Sequence, residues 1–316
     1  MEVSHHRSPR VRVARAAGTL AMAACLLLSC SAPDHQARSG GPSTAPGSAA
    51  SPVPQSGPDE VLGRSPAMPV AANAPALARR IERAAATLRD RRAAADDERR
   101  AGEFQQLAVG TLATASDAFR RDVTSRLRPQ TAVVVRGAVR AARLLHAMTS
   151  PQRRLPHWHI VAPPPAWELL GYYRSAQRRT GVPWTYLAAI HLVETRMGRI
   201  RGASTAGALG PMQFLPATWD LYGAGGDIHD PHDAILAAAR LLKANGAPGD
   251  MREALRHYNA SNRYVRAVSE YANTMTRSRS AYRGYWHWRV LYRHVRGTYV
   301  LPVGYPEVPP VLLRAG

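Results

Sequence analysis

Apolar residues recur with a helical period over most of the chain. Leu77, Ile81, Ala84 and Leu88 follow one another at spacings of four, three and four. After the charged stretch RDRRAAADDERRAGE, Leu107, Thr111, Ala115 and Phe119 continue at fours. Spacings of three and four bracket one helical turn, so both sets predict helices with an apolar face. Residues 76–150 therefore form a helical region, open between a packing subdomain, a lever and a partner-binding arm; packing is the simplest. Residues 151–165 contain LPHWHIVAPPP, whose prolines block helix and predict a boundary.

Residues 166–275 read as a compact all-α unit with marked helix ends. Trp167 to Thr180 predicts a helix closed by Gly181, and Pro183 opens another to about Met197, with Gly198 at its end. In DPHDAILAAARLLKANG, Asp230 is the expected N-cap, Pro231 sits in the first turn, Asp233 takes the capping-box position and Gly246 closes the helix. GDMREALRHYNAS repeats this with Asp250 and Glu253. Residues 276–316 are aromatic and β-branched around a Gly-containing turn, which predicts a small hairpin or a wrap over the domain. The expected fold is mainly α, with a helical region before the central unit and a small aromatic β extension after it.

The N-terminus follows other rules. Arg7, Arg10, Arg12 and Arg15 precede an apolar run from Ala16 to Leu28, too short to span a bilayer and suited to a signal peptide over residues 1–30. The run ends in Leu27-Leu28-Ser29-Cys30, similar to the lipobox of bacterial lipoproteins, which implies lipidation at Cys30; the other cysteine, Cys25, leaves too short an apolar run. A simply cleaved secretory signal is the alternative. Both cysteines fall here, so disulfide and thiol chemistry are not expected in the exported domain. Residues 31–75 are Ser, Gly, Pro and Ala with few large apolar side chains, a composition expected of a disordered tether. The expected location is outside the cytoplasmic membrane, lipid-anchored.

Charge narrows the partners. The 316 residues carry 42 basic and 22 acidic side chains, a formal net charge of +20, and Lys243 is the single lysine. Arginine, alanine, proline and glycine are all abundant, as a GC-rich coding bias produces, so arginine number alone says little. The net charge still favours anionic surroundings such as a cell wall or an anionic membrane. No basic stripe interleaved with aromatics suggests nucleic acid.

One acid stands out. Leu187, Ile190, Glu194 and Met197 share one face of the helix that Pro183 opens. Burying a carboxylate there is costly, and a carboxyl in an apolar setting tends to hold its proton, as a general acid must. Pairing with Arg196, Arg199 or Arg201 is the bland alternative. Gly207 and Gly210 then bracket a turn leading to Met212, Gln213 and Phe214, where glycine permits close approach of a ligand and Gln213 offers donors and acceptors.

Together these segments, VETRMGR, STAGALGPMQFLPATW, DPHDAILAAARLLKANG and YNASNRYV, resemble the lytic transglycosylases with a lysozyme-like domain of goose or SLT type, particularly the membrane-bound members. The resemblance covers about 110 residues. It implies peptidoglycan glycan strands as substrate, no cofactor, and Glu194 as sole catalytic acid/base. It places Ser204 beside the scissile sugar, Gln213 on the cleft lining, and Tyr258, Asn259 and Tyr264 along the sugar subsites, with Met212 and Phe214 as wall positions. It further implies cleavage between N-acetylmuramic acid and N-acetylglucosamine with a 1,6-anhydro product. A lysozyme-like hydrolase and a non-catalytic glycan-binding lipoprotein remain as alternatives. Glycosidases usually need two carboxylates, but Asp220, Asp227, Asp230 and Asp233 are better explained by caps and turns. GAGGDIH is too sparse in ligands for a calcium loop, and His229, Asp230, His232 and Asp233 need no metal to explain them.

Overall fold

The computed structural model describes residues 73–313. The signal-peptide, lipobox and Cys30 expectations lie outside the described residues, as does nearly all of the expected tether. Of the described chain 59% is helix, in eleven helices with few strands.

Helix α1 (Ala74–Arg89) begins at Asn73, whose side chain accepts from Ala76 N at 2.8 Å, with Pro75 in the first turn. The helix thus starts just inside the segment expected to be tether. Helix α2 (Ala95–Thr114) places Asp96, Asp97 and Glu98 at its positive end. The second apolar series does not form one helix. It breaks at Ala115, and Ser116 caps a separate α3 (Asp117–Ser125) by accepting from Phe119 N at 3.2 Å. Helix α4 (Pro129–His146) completes a four-helix N-terminal region.

After a short strand β1 (His159–Ile160) come α5 (Ala166–Thr180) and α6 (Trp184–Thr195). Strand β2 (Ile200–Arg201) pairs antiparallel with β1, Ile160 opposite Ile200. Next are α7 (Pro216–Tyr222), α8 (Pro231–Ala244), α9 (Met251–Tyr258), α10 (Asn262–Arg277) and α11 (Arg279–Trp286). The chain ends in strands β3 (Val290–His294), β4 (Gly297–Leu301) and β5 (Val311–Leu312), an antiparallel three-stranded sheet in the order β3-β4-β5. The expected hairpin is present, with a third strand added along β4.

Side-chain caps hold five of the eleven described helix starts, at Asn73, Ser116, Asp230, Asp250 and Ser261. Asp230 accepts from Asp233 N at 2.9 Å and Asp250 from Glu253 N at 3.0 Å. Asp233 departs from the expected capping box: its Oδ2 accepts from Asp227 N at 3.0 Å and so holds the loop before α8. Helix α5 ends on Gly181 at φ +81°.

One apolar core runs from α1 through α11. Its most extensive helix pair is α4 against α10. Gly137 makes that approach possible, because a Cβ there would lie 2.3 Å from Thr274 Oγ1. At the edge of the same contact Arg140 holds Glu270 by two hydrogen bonds of 2.7 and 2.8 Å, a bidentate geometry. Arg283 of α11 makes an equivalent pair with Glu98 of α2. At the centre lies α6, with every residue from Leu187 to Thr195 buried. The helix is therefore enclosed on all sides and does not expose a polar face.

Candidate active site

Helix α6 stops at Thr195, two residues before the expected Met197, and the next three residues reverse the chain. Arg196, Met197 and Gly198 take φ of +54°, +62° and +84°, three left-handed residues in succession. Two of them are not glycine, which costs about 1–3 kcal/mol each. The reversal is held by Met197 N on His191 O at 3.1 Å and by Gly198 N on Thr195 Oγ1 at 3.1 Å. Thr195 Oγ1 in turn donates to Pro211 O at 2.6 Å, tying the end of the helix to the glycine turn. Met197 is fully buried, but it reaches the core through this reversal, not along the helical face.

Glu194 precedes that reversal and is 2% exposed. Its Oε1 accepts from the Tyr264 hydroxyl on α10 at 2.6 Å. Tyr264 stacks on Tyr258, ring planes 3° apart and centroids 6.4 Å apart. Burial, and then the charge of Glu194, hold both phenols well above their usual range, so each stays a neutral donor. The Tyr258 hydroxyl donates to Met212 O, which fixes the turn from below. Glu194, Tyr264, Tyr258 and Met212 thus form one connected chain.

The turn itself is a tight reversal. Leu209 and Phe214 exchange backbone hydrogen bonds of 2.8 and 2.9 Å. Gly210, at φ +73°, sits so close to the 223–229 loop that a Cβ would fall 1.9 Å from Ile228 O. Ser204 is half-buried; its Oγ accepts from Ala206 N and Ala208 N at 3.2 and 2.9 Å, shaping the loop before the turn. Gln213, itself left-handed at φ +50°, is buried and donates from Nε2 to Gly210 O at 2.9 Å. Its Oε1 is buried without a hydrogen-bond partner among the described residues.

The other expected wall positions lie behind this surface. Met212 and Phe214 are fully enclosed, and Phe214 packs edge-on against Trp219 and Tyr258. Tyr258 and Tyr264 are likewise buried, so in this conformation these four support Glu194 and offer no accessible surface to a ligand. Asn259 is buried and accepts from Ser261 N at 2.9 Å, linking α9 to α10.

Sequence patterning missed a second buried layer. His191, one turn before Glu194, is fully enclosed; its Nδ1 pairs with the Tyr173 hydroxyl at 2.6 Å, and that hydroxyl also contacts Met197 Sδ at 3.4 Å. Burial, helped by the charges of Arg201 and Arg199, lowers its pKa to about 3, so the ring is neutral. The spacing of His191 on α6 is visible in the sequence, but its partners come from α5 and the reversal.

Three of the four aspartates expected to be structural are engaged, while Asp220 is exposed on α7. Asp227 accepts from His229 N at 2.8 Å, Asp230 caps α8, and Asp233 holds the 223–229 loop. Asp230, His232 and Asp233 bring their donor atoms within 4.8 Å of one another. The same residues make the cap and the Asp233–His232 contact of 3.1 Å. No described helix is long and apolar enough to cross a membrane.

Residues 171–280 match the transglycosylase SLT domain family. The matched segment holds Glu194, the turn, α8, α9 and α10, and its mainly helical build is that of a lysozyme-like domain. No curated protein and no solved structure matches the chain. The matched domain assigns the chain a transglycosylase-type activity on peptidoglycan in general.

Proposed function

We propose that the chain cleaves the bond between N-acetylmuramic acid and N-acetylglucosamine and leaves a 1,6-anhydromuramyl end. The observation that carries this is Glu194, a buried carboxyl gripped by Tyr264 at the end of the SLT domain's central helix. In the first step Glu194 gives its proton to the glycosidic oxygen as the C1–O bond breaks. The neighbouring N-acetyl carbonyl stabilises C1, taking the part a second carboxylate has in most glycosidases. In the second step the Glu194 carboxylate takes the proton of the C6 hydroxyl while that oxygen bonds C1. Glu194 is protonated again, and no water is consumed.

Ser204, Gln213 and Asn259 are the proposed polar contacts to the sugars. Gln213 Oε1 supports this most directly, because a buried acceptor without a partner suits the N–H of an acetamido group. Met212, Phe214, Tyr258 and Tyr264 are proposed to hold the cleft from behind. Export and anchoring through Cys30 belong to the same proposal, with the net charge of +20 drawing the domain to an anionic wall.

The test is mass spectrometry of material released from purified sacculi. Anhydro ends are expected; reducing ends alone would replace the lyase with a hydrolase. Glu194→Gln is expected to abolish release while binding to sacculi persists, and release that survives the substitution overturns the role of Glu194.

A further inference from the structure

A cavity of about 260 Å³ lies where the N-terminal helices, the end of α6 and the C-terminal sheet meet. Glu194 does not line it. Its walls are mostly apolar, including Leu107, Leu145, Val193, Val290 and Leu291. Two arginines, Arg196 and Arg293, also line it, and no Asp or Glu does. Arg196 and Arg293 are both partly buried, and an apolar cavity that carries two guanidinium groups and no acid needs a reason, since charges drawn out of water are ordinarily paired.

The guanidinium groups are anchored but not neutralised. Arg196 donates to Leu192 O at 3.1 Å, and its guanidinium carbon lies 5.9 Å from the centre of the Trp288 ring. Arg293 donates to His146 O, Thr149 O and Thr149 Oγ1 at 3.2, 2.9 and 3.4 Å. Every one of these acceptors is neutral. Neither arginine makes an ion pair among the described residues. His146 also lines the cavity and feels both positive charges. Burial first, then Arg293 and Arg196, push its pKa down to about 4. The cavity is thus positive near its arginines and mostly apolar elsewhere, with Gln106, Thr114 and Thr298 as neutral polar lining.

We propose that this cavity binds a small organic anion, a carboxylate carried on a short apolar chain, with the carboxylate between Arg196 and Arg293. An anion there supplies the missing partner for both arginines, and an apolar tail covers the remaining wall. The site is separate from the reaction assigned to Glu194 and stands whatever that reaction proves to be. It also joins the N-terminal helices and the C-terminal sheet around the end of the catalytic helix.

Calorimetric titration of the purified full chain with hexanoate, acetate and hexylammonium tests it. Hexanoate is expected to bind saturably at one site, at least tenfold tighter than acetate, and hexylammonium not at all. Arg196→Gln is expected to weaken hexanoate at least tenfold. Arg293→Gln disturbs the 146–149 turn as well, so Ala142→Leu, which fills the cavity from α4, serves as the second variant. Loss of binding in Ala142→Leu, with circular dichroism unchanged, supports the site. Hexanoate no tighter than acetate, equal binding of hexylammonium, or full binding in both Arg196→Gln and Ala142→Leu overturns it.

Discussion

The hydroxyl of Tyr264 grips the Glu194 carboxylate from a helix 70 residues further along the chain. A hydrogen bond to a charged group contributes about 1.5–3 kcal/mol. Tyr264→Phe keeps the ring and its stacking on Tyr258 but removes the donor. We expect kcat on peptidoglycan to fall by about 10- to 100-fold with KM little changed; a loss confined to KM would assign Tyr264 to substrate binding. The two glycines of the turn make a second contrast at this scale. Both have positive φ, yet a Cβ at Gly207 meets nothing within 4 Å, whereas at Gly210 it collides with Ile228 O. Gly207→Ala should cost about 1–2 kcal/mol for the left-handed backbone alone. Gly210→Ala should cost clearly more, because backbone cannot yield as a side chain can. Urea denaturation of the two variants compares them directly, and equal losses would show that the Gly210 contact carries no weight.

Helix α6 shows both how far patterning reaches and where it stops. Its start after Pro183, and the burial of Leu187, Ile190 and Glu194, follow from spacing; Met197 is buried as expected but by way of the reversal. The enclosure of the helix on every side does not follow, because Ala188, Ala189 and Thr195 look neutral until neighbouring helices cover them. Its end is misplaced by spacing because Gly198 draws attention as the stop, while the left-handed turn starts two residues earlier at Arg196. The same limit applies across the site. Glu194, Gly207 and Gly210 are legible as residue types with a chemical or conformational reason to be where they are. The inward position of Met212, Phe214, Tyr258 and Tyr264 depends on α9 and α10 closing over the turn, and no local signal reports that. Ala115 to Phe119 mislead for a similar reason: the period continues, but Ser116 offers a cap and the chain takes it. His191 turns the enclosure of α6 into a pH dependence. Its pKa is 6.5 for the ordinary side chain and about 3 in the folded chain, so between these values the unfolded chain binds a proton that the folded chain refuses. Stability is therefore lost as pH falls below 6.5, by up to about 1.4 kcal/mol per pH unit from this residue. His146, lowered to about 4, acts with the same sign. The unfolding free energy measured from about pH 7 to pH 5 should fall accordingly, and a flat profile over that window would mean that His191 opens to solvent.

For the whole molecule, the N-terminal helices and the matched SLT segment share one core, and the α4–α10 contact is its widest seam. Thr274 Oγ1 lies where a Gly137 side chain would have to go, while Arg140 and Glu270 close the rim. A rim ion pair with Arg140 half exposed contributes little on its own, so the seam depends on apolar packing and on the absence of a Cβ at residue 137. The region outside the family match is then a structural part of the enzyme's fold, because α10 also carries Tyr264 on the same helix that α4 covers. Gly137→Leu forces α4 away from α10 and should cost about 1–3 kcal/mol as an overpacked core position. If the two regions are one cooperative unit, calorimetry shows a single transition in both the parent chain and Gly137→Leu, shifted to lower temperature in the variant. Because α10 positions the donor to Glu194, glycan cleavage should weaken together with the α4 contact. Two separate transitions in the parent chain, or a variant whose first transition leaves cleavage intact, would show instead that the N-terminal helices are a detachable layer.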